Sequence, residues 1–235
     1  GSDDVLTPEG VDARRRGFIR TAIARQARLK PGGILLEKTV SNSLRVPFVD
    51  AIFPEARYIH LVRDGRDVAT SAMKEWVSPL DYGRLLNKLW RIPVASIPYL
   101  FWYARKSVLS RRRSAGARVA VWGPRYPGIE ADVKTRSLAE VCALQWQKSV
   151  EHALADLARL PADRVHTIRY EDLVADGAEI SRLSSALCLD VQGVTAAWQA
   201  TVSPGRKRAF SAAEQATRDE IEKVQSTTLR TLGDI

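Results

Sequence analysis

Tyr58-Ile59-His60-Leu61-Val62 is a short apolar, β-rich run that passes through Arg63-Asp64-Gly65-Arg66-Asp67 into a helix-compatible segment, Val68–Trp76. A run of this kind, bounded by turn residues, reads as a buried strand, so the unit is strand–turn–helix. The rest of the chain keeps the same rhythm. Ile34-Leu35-Leu36, after the turn Lys30-Pro31-Gly32-Gly33, reads as another buried strand, and Val165–Tyr170 as a third. Helices are expected over Val11–Leu29 and Val46–Phe53, the second stopped by Pro54. Ser137 and Glu140 form a capping-box pattern ahead of Val141, Leu144, Val150, Ala153, Leu154 and Leu157, which recur at helical spacing. Another helix is expected around Ile180–Leu187, and after the turn Ser203-Pro204-Gly205 a second capping box, Ser211 with Glu214, opens a final helix to about Leu229. Short apolar strands alternating with longer amphipathic helices predict an α/β fold, a parallel sheet flanked by helices, over residues 1–235 as one domain.

Composition narrows the class of function. Apolar residues make up 45% and charged residues 27%, which excludes wholesale disorder. No apolar run reaches the roughly 18 residues that a membrane-spanning helix needs, and no secretory signal opens the chain. A cytoplasmic location is therefore expected. Cys142 and Cys188 resemble neither a disulfide framework nor a metal cluster, so no metal is expected. The net charge is +9, but it has an address. From Tyr82 to Ile129 there are ten basic residues and no acidic one, which leaves 26 basic against 27 acidic residues in the remainder. A diffusely basic nucleic-acid binder would not concentrate its charge in this way, and no nucleic-acid partner is expected.

In an open parallel sheet, ligands bind at the carboxyl ends of strands, where helix N-termini offer amide donors to anions. Lys38 follows the first strand, Arg63 ends the second, Ser71 lies eight residues later on the succeeding helix, and Tyr170 closes the third. An arginine and a helix hydroxyl at one strand end suit a phosphate, because the guanidinium presents two parallel donors.

Glu37-Lys38-Thr39, together with the run from Phe53-Pro54-Glu55-Ala56 through Arg63-Asp64-Gly65-Arg66-Asp67-Val68-Ala69-Thr70-Ser71, closely resembles the 3′-phosphate-binding region of sulfotransferases that use 3′-phosphoadenosine 5′-phosphosulfate (PAPS). The form is similar to the bacterial and carbohydrate or protein-tyrosine branch. Arg169-Tyr170-Glu171-Asp172-Leu173-Val174 resembles a second family segment, and Ser203–Ser211 the loop that closes over the nucleotide. The resemblance implies a P-loop nucleotide-kinase-like fold, PAPS as donor and 3′,5′-ADP as product. Under it, Arg63 and Ser71 would hold the 3′-phosphate and Tyr170 would lie near the adenine. Gly205, Arg206 and Lys207 would close the site, and Lys38 would neutralise charge on the oxygen bridging sulfuryl group and 5′-phosphate. The acceptor would be a hydroxyl of a saccharide, glycolipid or secondary metabolite.

Two departures qualify the resemblance. No segment before Ile34 matches the family's 5′-phosphosulfate loop, so the chain is expected to be N-terminally truncated and to transfer little sulfate by itself. The general base is unassigned, since Val40 stands where the cytosolic branch has histidine, and His60 reads as a packed strand residue. The basic stretch 82–129 holds eight of the 17 aromatic residues and occupies the acceptor region of the family. Trp122-Gly123-Pro124-Arg125-Tyr126-Pro127-Gly128 would either line an acceptor pocket or form a structural loop. Aromatic residues beside Arg111, Arg112 and Arg113 would suit peripheral contact with a membrane or a lipid-linked acceptor. Two rivals remain on the sequence. A small-molecule kinase of the same fold would need an intact phosphate loop. A non-catalytic protein would bind nucleotide or an anionic surface.

Overall fold

Two parallel strands, β1 (Tyr58–Val62) and β2 (Val165–Arg169), pair with Tyr58 opposite Val165 and Val62 opposite Arg169. The computed structural model describes residues 3–77, 122–202 and 210–234. The basic stretch from 82 to 121 and the triplet Gly205, Arg206 and Lys207 lie outside the described residues. Ahead of β1 come α1 (Ala13–Gln26), a 3₁₀ turn (Val40–Leu44) and α2 (Val46–Ile52); α3 (Gly65–Val77) follows it. Next in chain order among the described residues are α4 (Ile129–Thr135), α5 (Leu138–Leu157), a second 3₁₀ turn (Ala162–Arg164) and β2. The chain then runs through α6 (Tyr170–Ala175), α7 (Ala178–Ala186), α8 (Val191–Thr201) and α9 (Ala212–Leu232). The fold is α/β, with a small parallel sheet and helices packed around it. Among the described residues, no helix is long and apolar enough to cross a membrane.

The core is organised along α5. Its Ala139, Cys142 and Ala143 meet Ala69 and Ala72 of α3 and Ile221 of α9, where small side chains let three helices approach closely. Val141 packs with Leu44, Tyr126 and Ile129, and Trp146 and Val150 pack with Leu229. Ala153 and Leu157 pack with Val46 and reach Tyr58 and Val165, the first pair of the sheet. Most of this helix is buried against its neighbours, leaving the Lys148–Glu151 pair toward solvent, and the capping box that starts it forms as the sequence predicts. Ser137 Oγ accepts from the Glu140 amide and the Glu140 carboxylate accepts from the Ser137 amide. The same reciprocal pair, Ser211 with Glu214, starts α9.

One predicted element is absent. Ile34-Leu35-Leu36 is irregular rather than a buried strand, and Ile34 and Leu36 are 74% and 80% exposed. Its apolar content suits a strand, but a strand exists only through a ladder partner, and among the described residues the sheet contains β1 and β2 alone. Tyr170, read as the last residue of a strand, instead opens α6. Helices α4, α6 and α8 are not among those expected from the sequence, and α8 supplies no fully buried side chain.

The joint between sheet and helices is Gly65, the first residue of α3. A Cβ built there would stand 2.5 Å from Gln225 Oε1 of α9 and 2.7 Å from the Trp146 ring of α5. Gln225 is completely buried and cannot step aside, because its amide donates to the Gly65 and Ala143 carbonyls at 3.2 and 3.3 Å. Gly65→Ala is expected to destabilise the fold by about 1–3 kcal/mol through overpacking, read as a lower melting temperature. An unchanged melting temperature would show that the joint relaxes freely.

Candidate functional site at the strand carboxyl ends

Because Val62 lies opposite Arg169, the next residues along each strand, Arg63 and Tyr170, emerge side by side. The Arg63 guanidinium stacks on the Tyr170 ring, 4.5 Å from its centroid. The structure thus brings together two of the residues that the sequence singles out. The Arg63 side chain is 41% exposed, its Nε is buried without a partner, and its ion pair with Asp67 is long, 3.8 Å. Asp67 and Ser71 follow at intervals of four, so they share one flank of α3. Ser71 is exposed, and its hydroxyl makes no hydrogen bond among the described residues.

The neighbouring arginines are differently committed. Arg66 is held by Asp64 and by Glu222 of α9, each at 2.8 Å. Arg169 pairs with Asp234 and donates to the Leu232 carbonyl at 2.9 Å. Arg218 of α9 binds Asp67 at 2.5 Å and lies over the Phe210 ring at 4.3 Å. These contacts fasten the last helix and the chain end to the strand ends. Arg63 is therefore the arginine of this set with a guanidinium left to offer a ligand.

Asp64 shapes the turn. Its amide donates to Glu171 of α6 at 3.1 Å, which ties the two strand ends together. Its carboxylate accepts from the Arg66 amide at 2.8 Å, the bond of a helix N-cap. Burial pushes the Asp64 carboxyl toward protonation, but the Arg66 hydrogen bonds outweigh it and hold the group below its ordinary range. Arg66 is correspondingly held further in its charged form by the Asp64 hydrogen bond.

The other sequence candidates are not drawn into this cluster. Lys38 is exposed on the irregular segment before the first 3₁₀ turn, without a hydrogen bond or ion pair among the described residues. Its neighbour Glu37 accepts from Thr39 and Asn42 and so organises that turn. Residues 205–207 are outside the described range. Of the aromatic turn, Tyr126 is buried in the core with its hydroxyl on Asp132 at 2.7 Å, whereas Trp122 remains exposed. Gln145 of α5 pins this stretch by donating to the Trp122 and Pro124 carbonyls. Its inner half is structural. His60, facing Thr167 in mid-strand, is held below the usual histidine range by burial, as a packed residue should be.

Sequence reasoning does not reach Asp67, Glu171 and Arg218 as members of the site. The first two stand in the quoted motifs and could have been found by asking which carboxylates share a helix flank or a strand end with Arg63. Arg218 has no local signal, because it arrives from 151 positions away.

The Asp64 carboxylate generates a pH expectation. Its pKa in the folded state lies below the ordinary 3.8, so its contribution is complete above that value and lost as acid carries the pH down through the folded value. Asp64→Asn keeps an N-cap acceptor but removes the charge. The variant is expected to be less stable at neutral pH and to lose less stability than wild type below about pH 4, measured as melting temperature against pH. Parallel pH curves for the two proteins would contradict this.

A family model described as the sulfotransferase family matches residues 8–92 and 102–192, most of the chain, and includes Lys38, Arg63, Ser71 and Tyr170. No curated protein and no solved structure matches the chain significantly. The motif at β1 and α3, the paired strand ends and the extent of this match agree, and the chain belongs to the sulfotransferase family.

Proposed function

We propose that the chain binds PAPS at the carboxyl ends of β1 and β2 and passes its sulfuryl group to a hydroxyl acceptor, a saccharide, glycolipid or secondary metabolite. The observation that carries this reading is Arg63. It has a half-exposed guanidinium stacked on Tyr170, an unpartnered buried Nε and one long ion pair, while its neighbours are locked to carboxylates. A phosphate accepts two parallel donors from such a fork and fits the residues present. The Ser71 hydroxyl adds a donor from the same helix flank. Tyr170 holds the guanidinium plane in place and presents the rest of its face to a flat base.

The donor supplies the chemistry: the bond from sulfur to the 5′-phosphate oxygen breaks as the acceptor oxygen–sulfur bond forms, and 3′,5′-ADP leaves while the acceptor hydroxyl gives up its proton. The protein's share is to position the nucleotide and to neutralise charge as it develops. Lys38 is the cation assigned to the bridging oxygen, and Gly205, Arg206 and Lys207 are assigned to closing the 3′-phosphate site. The basic aromatic stretch 82–129 is assigned to the acceptor.

Titration of the purified chain with 3′,5′-ADP, AMP and ATP, followed by thermal shift, tests the reading. Selective stabilisation by 3′,5′-ADP is expected. Arg63→Ala should weaken that binding by about 10- to 100-fold, the worth of a charge-assisted pair of hydrogen bonds. Tyr170→Phe should retain most of the affinity and Tyr170→Leu should lose it, because the ring face rather than the hydroxyl supports Arg63. Stabilisation by ATP alone would support the kinase reading instead, and indifference to Arg63→Ala would remove the phosphate assignment.

A further inference from the structure

The turn and helix that carry Arg63 and Ser71 also carry an acid. Asp67 stands midway between them in the four-residue series, with its carboxylate 3.8 Å from the Arg63 guanidinium. An anion seated on Arg63 and Ser71 would meet a like charge at close range, and it would also draw Arg63 away from the carboxylate that it now faces. Either effect weakens anion binding unless a second cation holds Asp67.

Arg218 is placed to be that cation. Its guanidinium lies 2.5 Å from Asp67 Oδ1, while Arg63 approaches the other oxygen, Oδ2. The Arg218 side chain is only 12% exposed and lies over the Phe210 ring, so it is held where it stands. Arg218 lies on α9, beyond the residues that the family match covers.

We infer that Arg218 is a specificity-determining positioning residue: by neutralising Asp67 it frees Arg63 to bind the 3′-phosphate and makes the site discriminate nucleotides that carry that group. Asp67 and Arg63 form a resting pair. When the 3′-phosphate arrives, Arg63 exchanges a long ion pair for a bidentate contact, and the carboxylate left behind remains satisfied by Arg218. Without Arg218, Asp67 would retain Arg63 and repel the phosphate. A purely structural role for Arg218, fastening α9 to α3, would affect all nucleotides alike.

This inference rests on the PAPS reading, and the experiment separates the two. Dissociation constants for 3′,5′-ADP and AMP are measured by calorimetry on wild type, R218Q, R218K, D67N and the R218Q/D67N double variant. Expected is a loss of about tenfold for 3′,5′-ADP in R218Q, with AMP changed less than twofold, consistent with one uncompensated charge near the ligand. R218K should keep most of the discrimination. D67N should bind 3′,5′-ADP at least as tightly as wild type, and adding D67N to R218Q should restore affinity to the D67N level. Discrimination that survives in R218Q, an equal loss for both nucleotides, or a double variant as weak as R218Q overturns the inference while the donor reading stands. Equal binding of 3′,5′-ADP and AMP by wild type overturns both. Should R218Q fail to fold, D67N decides: weakened 3′,5′-ADP binding in that variant refutes a repulsive role for Asp67.

Discussion

The parallel register of β1 with β2 sets the centre of the candidate site. Pairing Val62 with Arg169 delivers Arg63 and Tyr170 to the same level, and it places the Asp64 amide within reach of Glu171. A shift by one residue would turn each side chain to the opposite face of the sheet. It would separate the guanidinium from the ring and break the link between the two strand ends. The register is in turn supported from below, where Tyr58 and Val165 pack on Ala153 and Leu157 of α5 and Arg164 ties Asp50 and the Ala56 carbonyl to the start of β2.

Around this register the electrostatics are organised as a division of labour. Exposed ion pairs contribute little to stability, but the arginines here have a geometric role. Arg66, Arg169 and Arg218 tie the terminal helix to the strand ends through Glu222, Asp234 and Asp67. Their commitment leaves Arg63 distinct, stacked and oriented by Tyr170. A cation with a fixed plane and unspent donors offers an anion more than additional diffuse charge does. The segregation of the +9 fits this view, since the chain outside the basic stretch 82–129 is close to electrically balanced.

Much of this was legible in the residue order. The two capping boxes start α5 and α9 as expected, because a cap is a local hydrogen-bond exchange between residues three apart. The β1–turn–α3 unit is equally local, and it ends where Arg63 stacks on Tyr170. The Ile34–Leu36 strand failed for the opposite reason. Apolar content is a property of the segment, but a strand is a property of a pair, and Ile34 and Leu36 remain exposed. Of the two expectations for the Trp122–Gly128 stretch, Tyr126 follows the structural one and fills space beside Leu44 and Val141.

The sequence by itself determined the capped starts of α5 and α9 and the strand–turn–helix unit that presents Arg63, since each depends on neighbours within a few positions. Only the tertiary structure decided what surrounds that arginine. Tyr170 beneath it, Gln225 filling the joint at Gly65 and Arg218 on Asp67 come from elements more than 75 residues away in the chain. Local propensity carries no information about such distant partners. They are selected by close packing of three helices on a short parallel sheet and by the need to pair charges where that packing excludes water.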